Sequence, residues 1–501
     1  MRNSIGREGL DRPYEGPFKN VKTHAFVSPK KDLARRPVFS ENLDEVLDKL
    51  DLHDGMTVSF HHHMRNGDHV LPMVMEKLHK RGIKNMTVAA TSIFPCHSCL
   101  VPMFEDETVT KVLASYISGP VGVAISKGKL KEICHMTTHG GRPRSMIEGE
   151  VNVDVAFIAA PAVDANGSLT GSEGPASCGV LGYAHADAET AKKVVAITDY
   201  TSKTVNRPEI SGHLVDYVVK VDSIGDPKGI VSGTTQITKD PVGLKIARDA
   251  AKLIEHSGLL ENGMSFQTGA GGISLAVANE LKKIMKEKKI TGSFASGGIT
   301  DYLVNLLKEG YFKKLYDVQC FNLDAVESIK VNENHIKMSA HTYANINNPD
   351  NIVNKLDVVI LGASEIDLDF NVNVTTGSDG IILGGSGGHA DTAAGAKLAI
   401  IVSKLVNSRI SCLVDEVTTV TTPGETVDVL VTERGIAINP KHQALIEKLK
   451  EETNLKIMEI HELKKIADFY TGIPEKREKS NQIVAVSEYR DGTILDAIYK
   501  V

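Results

Sequence analysis

LDKLDLHDGMTVSFHHHMRNGDHVLPMVMEKLHKRGIKNMTVAA, residues 47–90, decides how the chain folds. Two apolar runs, MTVSF (56–60) and NMTVAAT (85–91), lack the polar alternation of a half-exposed strand. Strands of a parallel sheet read this way, because helices cover both of its faces. Between them, HVLPMVMEKLHKRG (69–82) carries apolar residues at helical spacing and ends on basic residues. Strand, helix and strand in this order predict an α/β architecture.

Further strand-like runs follow at 153–161 (VDVAFIAAP), 193–199 (KVVAITD) and 215–221 (VDYVVKV). Near Asp240 the same order begins again. A helical pattern over 240–258 leads into GMSFQTG (263–269), a helix over 273–289 and GSFAS (292–296). Gly55 aligns with Gly263 and Ile83 with Ile290, two offsets that a single gap reconciles. The reading is two similar α/β domains with mainly parallel sheets, joined near 225–240. An N-terminal arm takes 1–40, the first domain 41–230 and the second 231–501. NQIVAVSEYRDGTILDAIYKV at the C-terminus reads as a hairpin turning at Asp491-Gly492.

Composition narrows the function. The 501 residues are 42% hydrophobic and 24% charged, an ordinary globular balance. A net charge of −6 speaks against nucleic acid as the main partner, while leaving room for a local basic pocket. No apolar run reaches the roughly 18 residues of a membrane span, and the N-terminus has no apolar signal segment. The six cysteines are too dispersed for a disulfide framework. A soluble cytoplasmic protein is expected, with no membrane partner.

Several motifs carry chemistry. QTGAGGISLA (267–276) sets glycines between a strand and a helix, where free N–H groups meet a ligand. It is not G-x-G-x-x-G, which argues against a dinucleotide site. GSDGIILGGSGGHADTAAGAK (377–397) is a second glycine-rich loop before a small-residue helix. A phosphate, a metal or an acyl thioester would each explain that much glycine. SFHHHMRNGDH (59–69) follows the first strand; neighbouring histidines on a strand alternate sides, so a cationic or hydrogen-bonding anion pocket with Arg65 fits better than one metal. THGGRPRS (138–145) offers Arg142 and Arg144 as carboxylate clamps. PCHSCL (95–100) lacks the second pair of ligands that a structural zinc needs. GSEGP (171–175) is not a nucleophile elbow. No metal site is assigned.

Taken together, QTGAGG and GGSGGHAD resemble the CoA-transferase superfamily. FHHHMRNGD, THGGR, VDVAFIAAPAVDANGSLTGSEGPASCG and ITDY are similar to one branch, the citrate lyase α subunits, over essentially the whole chain. The resemblance implies an enzyme that exchanges acetate for citrate on an acyl-carrier thioester. Its partners would be the carrier (γ) chain with a prosthetic group derived from dephospho-CoA, and the citryl-thioester lyase (β) chain, with this chain as a homo-oligomer inside that complex. No tightly bound cofactor is implied; the CoA-type thioester is a substrate.

By the same resemblance, Gly269, Ala270, Gly271, Gly272, Gly384, Gly385, Gly387 and Gly388 would contact the thioester and its pantetheine arm. Gly271, Gly272, Gly387, Gly388 and His389 would stand at the reacting carbonyl. His61, His62, Arg65, His139, Arg142 and Arg144 would hold citrate. Related hydrolases and transferases carry a nucleophilic glutamate in a segment like T-E-x-x-x-D. Aligned on Asp301, ASGGITDYLVNLLKEG (295–310) has Gly297 at that place. This points to direct transfer in a ternary complex, with Glu365 or Glu173 as alternative nucleophiles. A citramalate lyase α subunit, a covalent-glutamate CoA-transferase or hydrolase, and a non-catalytic assembly subunit are the competing readings.

Overall fold

The computed structural model describes residues 1–22, 32–231, 236–269, 271–473 and 478–501. Two large sheets organise them. The first has ten strands, in the order Val38–Ser40, Tyr217–Lys220, Lys193–Thr198, Val155–Ala159, Thr57–Phe60, Met86–Ala90, Val109–Ala114, Cys134–Met136, Ile483–Glu488 and Ile494–Tyr499. All neighbours run parallel except the last pair. The second sheet has nine strands, from His335–Lys337 at one edge to Ile457–Met458 at the other.

The two sheets repeat one topology. In the first, Thr57–Phe60 lies between Val155–Ala159 and Met86–Ala90; in the second, Ser265–Thr268 lies between Val358–Leu361 and Gly292–Ile299. The central strands are apolar on both faces, as Val155–Ala159 (VAFIA) and Leu398–Val402 (LAIIV) are buried throughout. Helices cover both sides, which is why the strands lack alternation. The helix Pro241–Ser257 starts with Pro241 after Asp240, whose carboxylate accepts from Gly243 N, and ends at Gly258 with φ 89°.

The C-terminal hairpin departs from the expected domain ranges. It forms, with its turn at 491–492, but Ile483–Glu488 pairs in parallel with Cys134–Met136. The chain therefore returns to complete the first sheet, and the second half does not run to residue 501 as one body. An edge strand needs a partner for its N–H and C=O groups, and the hairpin supplies it. The N-terminal arm wraps the same hairpin: Asn3 Nδ2 donates to the carbonyls of Ile494 and Leu495, and Arg7 meets Glu416 and Asp496.

Candidate functional site

Parallel strands bring all their carboxyl ends to one side, and ligands bind in the crevice outside them. Here the strand ends of both sheets face each other. From the first half come the turns carrying His62 and Arg65, Thr91 and Phe94, Tyr116, and His139. From the second come Gly297 and Gly298, Gln319 and Phe321, Tyr343 on the helix Ala340–Ala344, and the glycine loop before the helix His389–Gly395. The halves are joined at this seam. Gly387 N donates to Ser115 O at 3.0 Å, His139 N to Gly387 O at 2.7 Å, and Gln319 Nε2 to His62 O at 3.0 Å.

Arg65 is the cation of this crevice. Its backbone sits at φ 50°, an uncommon conformation for a branched-chain-free but long side chain and one that marks functional sites. Its guanidinium carbon stands 4.7 Å from the Phe321 ring centre and 5.3 Å from that of Phe94. Among the described residues no carboxylate pairs with it. Burial lowers its pKa, yet an arginine stays charged. A half-buried charge without a counter-ion is costly unless a ligand supplies one.

Beside it, the His62 and His139 rings lie 5.4 Å apart, and the Tyr183 ring is 4.5 and 4.6 Å from the two. Burial, His139 and Arg65 hold the His62 imidazole well below its ordinary pKa. Burial, Arg142 and Arg65 hold that of His139 at about 3. Both are neutral at physiological pH. His62 Nδ1 meets Thr91 Oγ1, while His139 Nδ1 is buried with no protein partner. Such a nitrogen is left unsatisfied by the described residues.

The remaining expected citrate ligands face elsewhere. Arg142 grips Asp187 with two bonds, of 2.6 and 2.7 Å, and His61 Nε2 is 3.0 Å from the same carboxylate. Burial alone would raise the Asp187 pKa, but Arg142 and His61 hold it well below the carboxylate range. Arg142 and His61 thus form a closed charge cluster behind the crevice. Arg144, 1% exposed, is enclosed by Glu150, Glu148 and Glu488. Both arginines clamp carboxylates as their chemistry suggests, but the carboxylates belong to the chain itself.

The glycines divide too. A Cβ on Gly385 would lie 2.3 Å from Ser115 O, and one on Gly384 2.2 Å from Val374 O. These two let the loop seat against its neighbours. Gly388 differs: it is partly exposed, and a Cβ there would stand 2.6 Å from the Tyr343 phenol oxygen. The His389 Nδ1 meets Thr422 Oγ1 at 2.7 Å and its Nε2 meets Gly362 O at 2.8 Å, while burial lowers its pKa to about 4. Both ring nitrogens are thus engaged within the chain. In the first glycine loop, a Cβ on Gly269 or Gly271 would meet nothing closer than 3.4 Å. Gly271 caps the 17-residue helix Gly272–Lys288 with no side-chain bond to it. Ala270 lies outside the described residues.

Gly297 has φ 103°, and a Cβ there would stand 2.8 Å from the Gln267 amide. The backbone conformation disfavours a glutamate at this place, and its side chain would displace the end of Gln267. Glu365 accepts from Asn373, Thr418 N and Thr418 Oγ1, and Glu173 accepts from Asn206 N. In the C-x-x-C segment, burial pushes the Cys99 thiol up to about 12. The histidine between the cysteines pairs with Asp68; burial opposes the charge, but that carboxylate raises His97 to about 9.

Sequence reasoning missed Phe94, Tyr183, Gln267, Gln319, Phe321 and Tyr343. One signal was present. His185-Ala186-Asp187 and His389-Ala390-Asp391 repeat one tripeptide before corresponding strands, Lys193–Thr198 and Leu398–Val402. Both aspartates are fully buried beside the crevice, Asp391 accepting from Thr138 Oγ1 and Gly140 N.

Comparison with known proteins gives the family. Residues 36–501 match the model "Citrate lyase, alpha subunit". The citrate lyase alpha chain of Escherichia coli is 45% identical over 485 residues, 97% of this chain and 94% of that one. That of Haemophilus influenzae is 46% identical over 461 residues, covering 92% of each. A crystal structure of the alpha subunit of citrate lyase from Streptococcus mutans, in complex with citrate, superposes with a TM-score of 0.94 at 41% identity over the full length of both chains. The chain belongs to the citrate lyase α-subunit family.

Proposed function

We propose that this chain transfers a thiol carrier from acetate to citrate: acetyl thioester and citrate become citryl thioester and acetate. The observation that carries the reading is Arg65, a half-buried cation with no carboxylate partner among the described residues, beside neutral His62 and His139. Citrate supplies the missing negative charge, and the uncharged imidazoles donate hydrogen bonds without adding cost. The citrate in the Streptococcus mutans structure supports this. Gly269 and Gly271 border the space for the thioester arm, where the uncapped helix end offers N–H groups.

The transfer runs without an enzyme-bound acyl group. A citrate carboxylate oxygen attacks the acetyl carbonyl, forming a C–O bond while the π pair moves to oxygen. That pair returns, the C–S bond breaks and thiolate leaves. The thiolate then attacks the citryl carbonyl of the mixed anhydride, and acetate departs with the bridging oxygen. The protein contributes positioning and charge stabilisation. Glycine at 297 has no carboxylate with which to attack a thioester, and this supports direct transfer over a covalent route. The thiol is CoA or the dephospho-CoA-derived group of a carrier subunit, and the chain works in the cytoplasm as a homo-oligomer in a complex with that carrier and a citryl-thioester lyase.

Oxygen labelling tests the route. With ¹⁸O in the citrate carboxylates, a single turnover delivers one label into acetate. Unlabelled acetate, together with a glutamyl thioester that borohydride cleaves, would refute direct transfer.

A further inference from the structure

Arg490 stands in the turn of the C-terminal hairpin, between Ile483–Glu488 and Ile494–Tyr499, and is fully buried. Its Nε lies 3.5 Å from Asp391 Oδ1, and Asp391 is buried as completely. Its Nη2 donates to Ala344 O at 3.3 Å. Taking a charge this far from water is costly, and among the described residues one ion pair and one long hydrogen bond offset it. Both contacts seat the same glycine. A Cβ on Gly140 would lie 2.0 Å from Ala344 O and 2.7 Å from Asp391 Oδ1. Asp391 Oδ2 accepts from Gly140 N at 2.9 Å, and its Oδ1 accepts from Thr138 Oγ1 at 3.0 Å. The two residues flanking His139 are therefore each bonded to one oxygen of a single carboxylate.

The repeat between the halves extends to these groups. Asp187 and Asp391 end the same tripeptide, and each faces a buried arginine, Arg142 and Arg490. Arg142 follows His139 by three residues, so the turn that carries this histidine is held by both pairs. We infer that Arg490 and Asp391 are positioning residues for citrate: the terminal hairpin delivers a buried cation that keeps the Asp391 carboxylate clamped on Thr138 and Gly140, and the clamp fixes where the His139 ring meets the substrate. The inference rests on the citrate reading above. A carboxylate accepts on both oxygens, whereas a protonated carboxyl gives one of them up. Burial raises the Asp391 pKa to about 6, and Arg490 is the first of the groups that oppose the rise, so the group stays ionised at physiological pH. Arg490 and Asp391 are enclosed behind the turn and act through His139, not on citrate itself.

The test is a double-mutant cycle on kcat/KM for citrate, with acetyl-CoA as the thioester. Arg490→Met lowers this ratio about 10-fold or more in the parent but less than about twofold in His139→Ala, which has already lost the ring that the clamp aims. The acetyl-CoA KM stays within about twofold of the parent's, because the clamp does not reach the thioester arm. Equal losses in the two backgrounds, or a loss under about threefold in the parent, would overturn the inference and make Arg490 a structural cation only. Should Arg490→Met fail to fold, Asp391→Asn replaces it in the cycle. That change keeps the size of the side chain and turns one accepting oxygen into a donor, and the same two comparisons decide. If the parent makes no citryl-CoA, the transferase reading fails instead, and the clamp is then judged by the same cycle read as citrate affinity in titration calorimetry.

Discussion

Replacing Arg65 by methionine separates the cost of the cation from its use. The methionine stem keeps the packing between Phe94 and Phe321 and removes the charge. In the free protein two effects oppose. The lost cation–π contacts cost about 0.5–2 kcal/mol. Relief of a half-buried, unpaired charge returns a similar amount. Stability without ligand should therefore change by no more than about 1 kcal/mol. With citrate the balance is one-sided. A charge-assisted hydrogen bond is worth about 1.5–3 kcal/mol, and every 1.4 kcal/mol is tenfold. Citrate affinity should fall about 10- to 150-fold. Urea denaturation reads the first quantity and titration calorimetry the second. If citrate affinity were unchanged, or if the free protein lost several kcal/mol, Arg65 would be a structural cation and the reasoning would fail.

Four further outcomes follow from the geometry. Arg142→Ala leaves the buried Asp187 without its bidentate partner and should cost about 3–5 kcal/mol in urea denaturation, while citrate KM of the folded fraction holds. Gly385→Ala should lose about 1–3 kcal/mol, because its Cβ meets Ser115 O at 2.3 Å, whereas Gly269→Ala should fold normally. Asp391 titrates near 6 in the fold, raised by burial and only partly offset by Arg490, Gly140 and Thr138. The folded state thus takes up its proton before the unfolded state does. Between pH 7 and pH 5 this group adds about 1 kcal/mol of stability, a gain that Asp391→Asn should lack in melts across that range. His389→Gln should leave the pH–rate profile unshifted and lower only thermal stability, since both ring nitrogens are bonded to Thr422 and Gly362.

The sequence showed its sheets better than its site, for a physical reason. Burial on both faces writes itself into consecutive residues, so runs such as 56–60 and 193–199 are legible directly, and the helix over 240–258 was readable from its spacing. The terminal hairpin was legible as a turn between two runs, but its place beside Cys134–Met136 depends on an edge that forms some 350 residues earlier. Arg142 and Arg144 look identical to Arg65 as residue types. What separates them is whether a carboxylate arrives from elsewhere: Asp187 and Glu488 do for two of them, and among the described residues none does for Arg65. Tyr343 carried no motif, and its neighbours Gln267 and Gly388 lie 76 residues before it and 45 after it.

The most direct test of the account uses the purified chain with citrate and acetyl-CoA, followed by mass spectrometry. Citryl-CoA and acetate should appear together and at equal rates, and neither should form when citrate is omitted. Acetate released without citrate, with no citryl-CoA at any time, would contradict it.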